Sequence, residues 1–168
     1  MTNHRHDDSL RLRRVYGHFA TGVAVISAAH KGVVNGLTAN AVASISVEPP
    51  LVLVSVAHSS NTHALIDGSG EFVINVLAAE QEQIARRFAD NAPGKFEGLA
   101  WSPAPGAGAP ILDGVLAHME CRVYDSLSHG DHTIFIGEVL RSSHADPHLR
   151  PLIFFRSSYA RLDAGGPA

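Results

Sequence analysis

Short apolar runs rich in Val, Ile and Ala recur along this chain, and they constrain its fold more than any other feature. They share the length and β-branched content of strands and lie at residues 23–29, 33–39, 51–57, 71–77, 115–127 and 132–140. Lys31-Gly32 and Gly130-Asp131 predict the tight turns of two hairpins. No regular alternation of strands with long helices is present. The pattern predicts a mostly β chain, an antiparallel barrel or sandwich rather than a doubly wound parallel sheet.

Few segments have helical spacing. Residues 78–91 are rich in Ala, Glu, Gln and Arg and predict the clearest helix. An earlier helix is predicted from a cap at Ser9, through apolar residues as far as Phe19, to an end at Gly22. From residue 92 to residue 110 the composition shifts to Gly, Pro and Ala, which predicts a long loop with Phe96 and Trp101 as its anchors.

Bulk composition narrows the functional class. The 168 residues, of which 45% are hydrophobic and 17% charged, suit one globular domain. A net charge of −3 with scattered basic residues disfavours binding to nucleic acid or an anionic membrane. The polar N-terminus lacks the apolar centre of a signal peptide, and no apolar run reaches the roughly 18 residues of a membrane span. The single Cys121 excludes an intramolecular disulfide, so we expect a protein of the reducing cytoplasm.

The stretch from Gly36 to Thr62 carries the strongest indication of a site. Read as one strand, residues 36–47 alternate between small hydrogen-bonding groups, such as Thr38 and Asn40, and small apolar groups, such as Ala39 and Ala41. Small residues let a ligand approach the backbone, and hydroxyl and amide groups can bind phosphate or sugar oxygens. This alternation therefore predicts the lining of a ligand site rather than a packed core.

A helix start is predicted directly after the apolar run 51–57. Asn61 or Thr62 can cap a short helix that turns Ala64, Leu65 and Ile66 inward. The free N–H groups of a helix N-terminus attract anions, and Ser59 and Ser60 would add hydroxyl donors. An anion cradle and an ordinary capped turn are both compatible with these residues.

A second polar cluster, His129-Gly130-Asp131-His132, lies at a predicted hairpin tip. Its spacing matches no recognised zinc-ligand pattern, so we predict no metal site. A Ser-His-Asp triad can be assembled on paper from any chain this rich in Ser and His, and it has no specific support. The sequence contains no nucleophile elbow, P-loop or dinucleotide fingerprint.

Taken in order, these segments resemble the flavin reductase family with the FMN-binding split-barrel fold. These proteins are the small reductase components of two-component flavin-dependent monooxygenases. The resemblance covers roughly residues 12–162. It is carried in chain order by FATGVAVISA (19–28), GLTANAVASISVEPPLVLVSV (36–56), FVINVLA (72–78), APIL (109–112) and GDH (130–132) followed by IFIGEV (134–139).

The resemblance implies a fold: a single domain over residues 1–168 with a core at about 12–162, a polar N-terminal extension and a frayed tail. It would be an antiparallel, Greek-key split β-barrel with a few flanking helices. The resemblance also implies an NAD(P)H:flavin oxidoreductase that uses FMN or FAD with NADH or NADPH. It would be a homodimer that hands reduced flavin to a separate oxygenase, with Phe96 and Trp101 helping to cover the site.

The resemblance assigns roles to particular residues. Thr38, Ala39, Asn40 and Ala41 would lie along the flavin ribityl chain and phosphate, and Ser55 and Val56 would approach the ring or the ribityl chain. Ser59, Ser60 and Thr62 would hold the phosphate, and Asp131 and His132 would serve the nicotinamide side. The chain has Ala41 where Ser is common and Asn61 where a basic residue is frequent, which leaves the choice between FMN and FAD open.

Three alternatives remain open from the sequence. The first is a flavin- or haem-binding split-barrel protein without reductase turnover, which would have the same fold. The second is an oxidase of the pyridoxamine-phosphate type, for which no basic phosphate cluster is visible. The third is a metal hydrolase, which metal analysis would test.

Overall fold

The computed structural model describes residues 2–145 and 148–162, and the side chains of all of these except 2–7 and 9. Three α-helices lie in this part of the chain: α1 (Thr2–Tyr16), α2 (Asn61–Ser69) and α3 (Glu82–Phe88), the last preceded by a 3₁₀ turn at Ala79–Gln81. The first six strands are β1 (Thr21–Gly22), β2 (Ala24–His30), β3 (Val33–Ala39), β4 (Val42–Val47), β5 (Pro50–Ala57) and β6 (Glu71–Val76). The last six are β7 (Trp101–Pro103), β8 (Pro110–Leu112), β9 (Ala117–His129), β10 (His132–His144), β11 (Leu152–Phe155) and β12 (Ser158–Arg161).

One antiparallel sheet of seven strands dominates the fold, in the order β3-β2-β6-β9-β10-β5-β4. Its hairpins form where the sequence has turn signals: Lys31 and Gly32 both have positive φ between β2 and β3, and Gly130 does so between β9 and β10. A smaller sheet, β1-β11-β12, and the β7-β8 hairpin lie beside it. The prediction of a mostly β, antiparallel chain with few helices is confirmed.

The two edges of the main sheet meet at residues 40 and 41. Strands β3 and β4 are the outermost strands, yet only Asn40 and Ala41 connect them. The sheet must therefore curl until its edges approach each other at this point. On the β4 side, the Ser55 N–H donates to the Ala41 carbonyl at 3.1 Å, which extends the β5–β4 pairing back to this connection. Because the chain passes from one edge to the other here, the expectation of one continuous strand over residues 36–47 is wrong.

Two apolar clusters hold these layers together. The first lies between the main sheet and α2 and includes Ile26, Val54, Ile66, Phe72 and Phe135, all buried. The second joins the sheet to α3, the small sheet and the segment after α3, and it contains the ring series Phe88, Phe96 and Trp101. Their centroids are 4.8 Å apart for the first pair and 5.8 Å for the second. Phe96 and Trp101 do anchor the long segment, although β7 and β8 interrupt the predicted loop.

The helices differ from the sequence predictions at their ends. Helix α1 contains Ser9 within it, because residues 2–8 include no Pro or Gly to stop the helix upstream, and it ends at Tyr16, before Gly17. Helix α3 is shorter than predicted. Ala78, which precedes the 3₁₀ turn, forms a bridge with Pro151, so the first predicted helical residue is extended. Beyond the end of α3 the Asp90 carboxylate accepts from the Ala92 N–H at 2.9 Å, an Asx turn. The predicted tail at 165–168 lies outside the described residues.

No helix within the described ranges is long and apolar enough to cross a membrane.

Candidate functional site

Strands β5 and β10 place Ser55 and His132 on one face of the main sheet. His132 is paired with Ala57, and Ile134 with Ser55. Since side chains alternate along a strand, Ser55, Ala57 and His132 share a face, while Val56 and Thr133 face the other side. Val56 as a whole residue is completely buried, and its side chain packs in the first cluster, so the described fold leaves no part of it open to a ligand.

The hairpin tip supplies a histidine with a fixed orientation. His132 Nδ1 lies 2.7 Å from Asp131 Oδ1, and the imidazole N–H donates to the carboxylate. This hydrogen bond is the largest cause that lowers the pKa of the exposed Asp131 below its ordinary value. The tip itself is held by the His58 N–H, which donates to the Asp131 carbonyl at 2.9 Å. Nε2 of His132 is therefore left as the ring atom that can meet a ligand.

The segment from Thr38 to Ala41 reaches the same region from the opposite edge of the sheet. Asn40 and Ala41 are exposed, and Ala39 is buried. The Thr38 hydroxyl donates to the Ala85 carbonyl of α3 at 2.6 Å. Because a hydroxyl has one proton, Thr38 Oγ1 retains only acceptor capacity and cannot donate to a phosphate oxygen.

The turn into α2 forms a helix N-terminus with polar groups around it. Ser60, in extended conformation, is the N-cap, and its Oγ accepts from the Thr62 N–H at 3.2 Å. The predicted cap at Asn61 or Thr62 is thus off by one or two residues. Of the three residues predicted to face inward, Ala64 is exposed because it lies on the solvent side of the helix. Ser59 is exposed, and its carbonyl accepts from Asn91 Nδ2 at 3.4 Å, which brings the segment after α3 to this turn.

Thr62 is fully buried, and its hydroxyl has no hydrogen-bond partner within residues 2–145 and 148–162. A buried hydroxyl without a partner costs free energy, so it marks a place where a further acceptor or donor would be favourable.

A cavity of about 710 Å³, the large cavity, lies where the sheet edges meet. Its walls are mainly apolar and include Tyr16, Phe19, Val42, Leu53 and Val76, with Asn40 as a polar group at one side. The size and apolar character suit a flat aromatic ligand. A smaller cavity of about 200 Å³, the small cavity, shares Val23 and Asn40 with it.

Sequence reasoning missed the contribution of the segment after α1. Tyr16, Phe19 and Thr21 line the large cavity, and the enclosed Thr21 hydroxyl has no partner among the described residues. The available indication was a polar Thr-Gly pair directly before a buried strand.

Two histidines of the β5–α2 region were also missed. His58 Nε2 and His63 Nε2 lie 3.1 and 2.8 Å from the same Thr133 hydroxyl, on the core side of β10.

Two further titratable groups are buried. Burial lowers the pKa of Lys95, and the nearby Asp90 carboxylate opposes this shift. The Lys95 ammonium donates to the Asp90 carbonyl at 2.8 Å. Burial raises the pKa of Cys121 to about 12, which leaves the thiol protonated and unreactive at neutral pH. In the part of the chain that the structure describes, no three His, Cys, Asp or Glu side chains are grouped as metal ligands.

Comparison with known proteins gives a consistent result. A family model described as a flavin reductase like domain matches residues 16–163. The reductase subunit HsaB of a flavin-dependent monooxygenase from Rhodococcus jostii is 40% identical over 156 residues, which are 93% of this chain and 79% of that protein. An NADH-dependent FAD reductase from Streptomyces globisporus is 40% identical over 140 residues, 81% of this chain and 76% of that protein.

Solved structures agree with the sequences. The NADH:FAD oxidoreductase SgcE6 of Streptomyces globisporus, in complex with NAD and FAD fragments, superposes with a TM-score of 0.90 at 35% identity and covers 96% of each chain. Nitrilotriacetate monooxygenase component B from Mycobacterium thermoresistibile also has a TM-score of 0.90, at 37% identity over 98% of this chain and 93% of that one. The chain is therefore a member of the flavin reductase like domain family.

Proposed function

We propose that this protein is an NAD(P)H:flavin oxidoreductase that supplies reduced FMN or FAD to a separate monooxygenase component. One observation carries the proposal: Ser55 and the Asp131-held His132 share a sheet face at the point where the sheet edges meet. The names of the relatives support both the reaction and the oxygenase partner.

The residues present fit a flavin. The large cavity is mainly apolar and can take a planar ring. The start of α2 offers an anion the Asn61 N–H and the Ser60 hydroxyl, since the Thr62 and His63 N–H groups already donate to Ser60. The Thr62 hydroxyl, which has no partner among the described residues, is buried beneath this helix N-terminus. In this proposal Ser59 and Ser60 hold the phosphate, and Thr62 packs beneath them. Ser55 and the segment Thr38–Ala41 lie along the rest of the molecule, with Val56 packed behind Ser55.

A bound flavin would supply the hydride acceptor, and the protein supplies position. His132 presents Nε2 on the Ser55 face, where it can orient a dihydronicotinamide by one hydrogen bond in either protonation state. The Asp131 carboxylate fixes the ring of His132, which keeps Nε2 in one direction, as an acceptor in the neutral ring and a donor in the cation. Both residues therefore act by orienting the hydride donor.

Architecture and assembly are part of the same proposal. The seven strands would form a Greek-key split barrel within a single domain, since the two sheet edges are joined by only Asn40 and Ala41. A second copy would cover the open side of the large cavity, where Phe19 is 78% exposed, and Val47 at the far end of β4, which is 92% exposed. Phe96 and Trp101 pack in the core of their own chain, so we assign this covering role to α1 and β4 instead. A cytoplasmic location remains the expectation from the single cysteine.

The test is NADH and NADPH oxidation with FMN, FAD and riboflavin in turn, with His132→Ala beside the parent protein. We expect turnover to fall at least tenfold in the variant while flavin affinity, measured by fluorescence, stays within about twofold. His144→Ala at the opposite end of β10 is the matched control, because His144 is exposed and its ring Nδ1 lies 3.2 Å from the carbonyl of the neighbouring Ala145. Unchanged turnover in His132→Ala contradicts the role of His132. Flavin binding without any turnover in the parent protein favours the non-reductase alternative.

A further inference from the structure

The tip of the β9–β10 hairpin, which carries Asp131 and His132, lies beyond the end of its neighbouring strand. The last residue pair between β5 and β10 joins Ala57 to His132. Residues 124–131 on the β9 side and in the turn are all exposed. The tip therefore gains little from apolar packing, and its position depends on the hydrogen bonds at its base.

Two histidines meet one hydroxyl group at this base. His58 Nε2 lies 3.1 Å and His63 Nε2 lies 2.8 Å from Thr133 Oγ1. Thr133 is buried, and its side chain lies on the face of the sheet opposite to that of its neighbour His132. A hydroxyl has one proton, so Thr133 can donate to only one of the two imidazoles, and the other imidazole must donate from Nε2. The hydroxyl is therefore held from two sides.

The same contacts join both strands of the hairpin to the start of α2. Ser128 pairs with Thr133 across the hairpin, and Ser128 Oγ lies 3.3 Å from His58 Nε2. His58 also holds the tip through its main chain, because its N–H donates to the Asp131 carbonyl at 2.9 Å. His63 belongs to the first turn of α2. These four side chains, His58, His63, Ser128 and Thr133, are called the Thr133 network.

Ring packing limits the movement of both imidazoles. The His58 and His63 rings meet edge to face, with centroids 5.3 Å apart. The His63 ring is also 5.2 Å from the ring of Phe135, which is fully buried. Because these rings are already restricted by their neighbours, their hydrogen bonds to Thr133 cost little further side-chain entropy.

We propose that the Thr133 network positions His132 for the hydride donor, with His58, His63 and Thr133 as positioning residues. The inference rests on the proposed function, because it acts through the role assigned there to His132. Thr133 and His132 are consecutive, so holding the Thr133 side chain fixes the backbone from which the His132 ring projects to the other face. A misplacement of about 1 Å can lower a rate by about two orders of magnitude. Loosening the network should therefore reduce turnover without removing a group that touches flavin or nicotinamide.

The test is a double-mutant cycle on kcat/KM for NADH at saturating FMN. Thr133→Val removes the hydroxyl and keeps the side-chain shape, and we expect kcat/KM to fall about fivefold. The dissociation constant of FMN should stay within about twofold of the parent value, and Thr133→Ser should recover most of the loss in kcat/KM. In the His132→Ala background, Thr133→Val should cause less than about 1.5-fold further loss, because the residue through which it acts is gone.

A second pair of variants gives the same test from α2, and it serves also if Thr133→Val does not fold. His63→Phe removes Nε2 and keeps a ring beside Phe135, so it should lower kcat/KM about as much as Thr133→Val, again only when His132 is present. His63→Gln offers an amide in place of Nε2 and should recover part of the loss. Ser69→Ala at the opposite end of α2 is the control. Ser69 Oγ donates to the Leu65 carbonyl at 2.8 Å and Ser69 lines neither cavity, so its loss should lower stability and leave kcat/KM unchanged.

Three results overturn the positioning role. The first is parent kcat/KM in both Thr133→Val and His63→Phe. The second is an equal fold loss by these substitutions in the parent and in the His132→Ala background, and the third is a loss of FMN affinity as large as the loss in kcat/KM. In each case the proposed function stands if the parent protein reduces FMN with NADH and His132→Ala lowers turnover. If His132→Ala keeps the turnover of the parent, the role of His132 in the proposed function is wrong, and the positioning role is overturned with it.

Discussion

Ser60 offers a way to separate the stability of helix α2 from the phosphate binding that we assign to its N-terminus. Its side chain caps the helix by accepting from the Thr62 N–H at 3.2 Å. Asp and Asn cap helices about as well as Ser, whereas Ala lowers stability by about 1 kcal/mol. Ser60→Asp therefore keeps the cap and adds one negative charge, and Ser60→Asn keeps the cap without a charge.

The size of the effect follows from Coulomb's law. A phosphate bound to the first N–H groups of α2 would lie about 5 Å from a carboxylate at the cap. Each pair of unit charges at that distance repels by about 0.8 kcal/mol at the dielectric constant of water and about 3 kcal/mol at an effective value of 20. The cap is partly buried, which places it between these limits. We therefore expect Ser60→Asp to weaken FMN binding by about 1–3 kcal/mol, roughly 5- to 150-fold.

Fluorescence titration with FMN and with riboflavin is the assay. Riboflavin has no phosphate, so its affinity should be the same in Ser60→Asp, Ser60→Asn and the parent protein. The thermal midpoints of the three proteins should also agree closely, since all three side chains cap the helix. If Ser60→Asp binds FMN as the parent does, or loses riboflavin affinity to the same extent, the phosphate does not bind at this helix N-terminus.

Two other predictions test the surroundings of the site. Thr38→Val removes the hydrogen bond to the Ala85 carbonyl but keeps the shape, so the free energy of unfolding should fall by about 1 kcal/mol in a denaturant titration. The affinity for FMN should not change. Thr38→Ser, which keeps the hydroxyl, is the control. A tenfold loss of FMN affinity without loss of stability would contradict the structural role of Thr38. Val47→Asp places a charge on the exposed apolar strand β4 and should convert the proposed homodimer to monomer by light scattering, whereas Glu48→Gln should not. A parent protein that is already monomeric and fully active would refute the assembly.

Local patterns predicted the strands well, because β-branched runs and turn residues act over a few neighbouring positions. The hairpin at Gly130 and the helix after Ser60 depend on such short-range preferences, and both lie within two residues of their predicted positions. The ends of α1 and α3 were predicted less well. The first residue of α1 depends on the absence of any stop signal upstream of Ser9. The start of the helical segment before α3 depends on Ala78, which pairs with the distant Pro151.

The candidate site was predicted as a set of segments and not as a geometry. The sequence indicated that residues 38–41, 55–62 and 131–132 belong together, through their small polar character and a family resemblance. It could not tell that Val56 and Thr62 face inward, since this depends on strand register and on the position of α2 over the sheet.

The sequence by itself determined that this chain is mostly β, carries a histidine at a tight hairpin and resembles the flavin reductases. Only the tertiary structure decided that the two edges of the main sheet meet at Asn40, with one cavity on each side of that residue. The physical reason is that cavities form between elements far apart in sequence. Tyr16, Leu53 and Tyr159 approach Asn40 only after the sheet has curled, and no local pattern encodes that curvature.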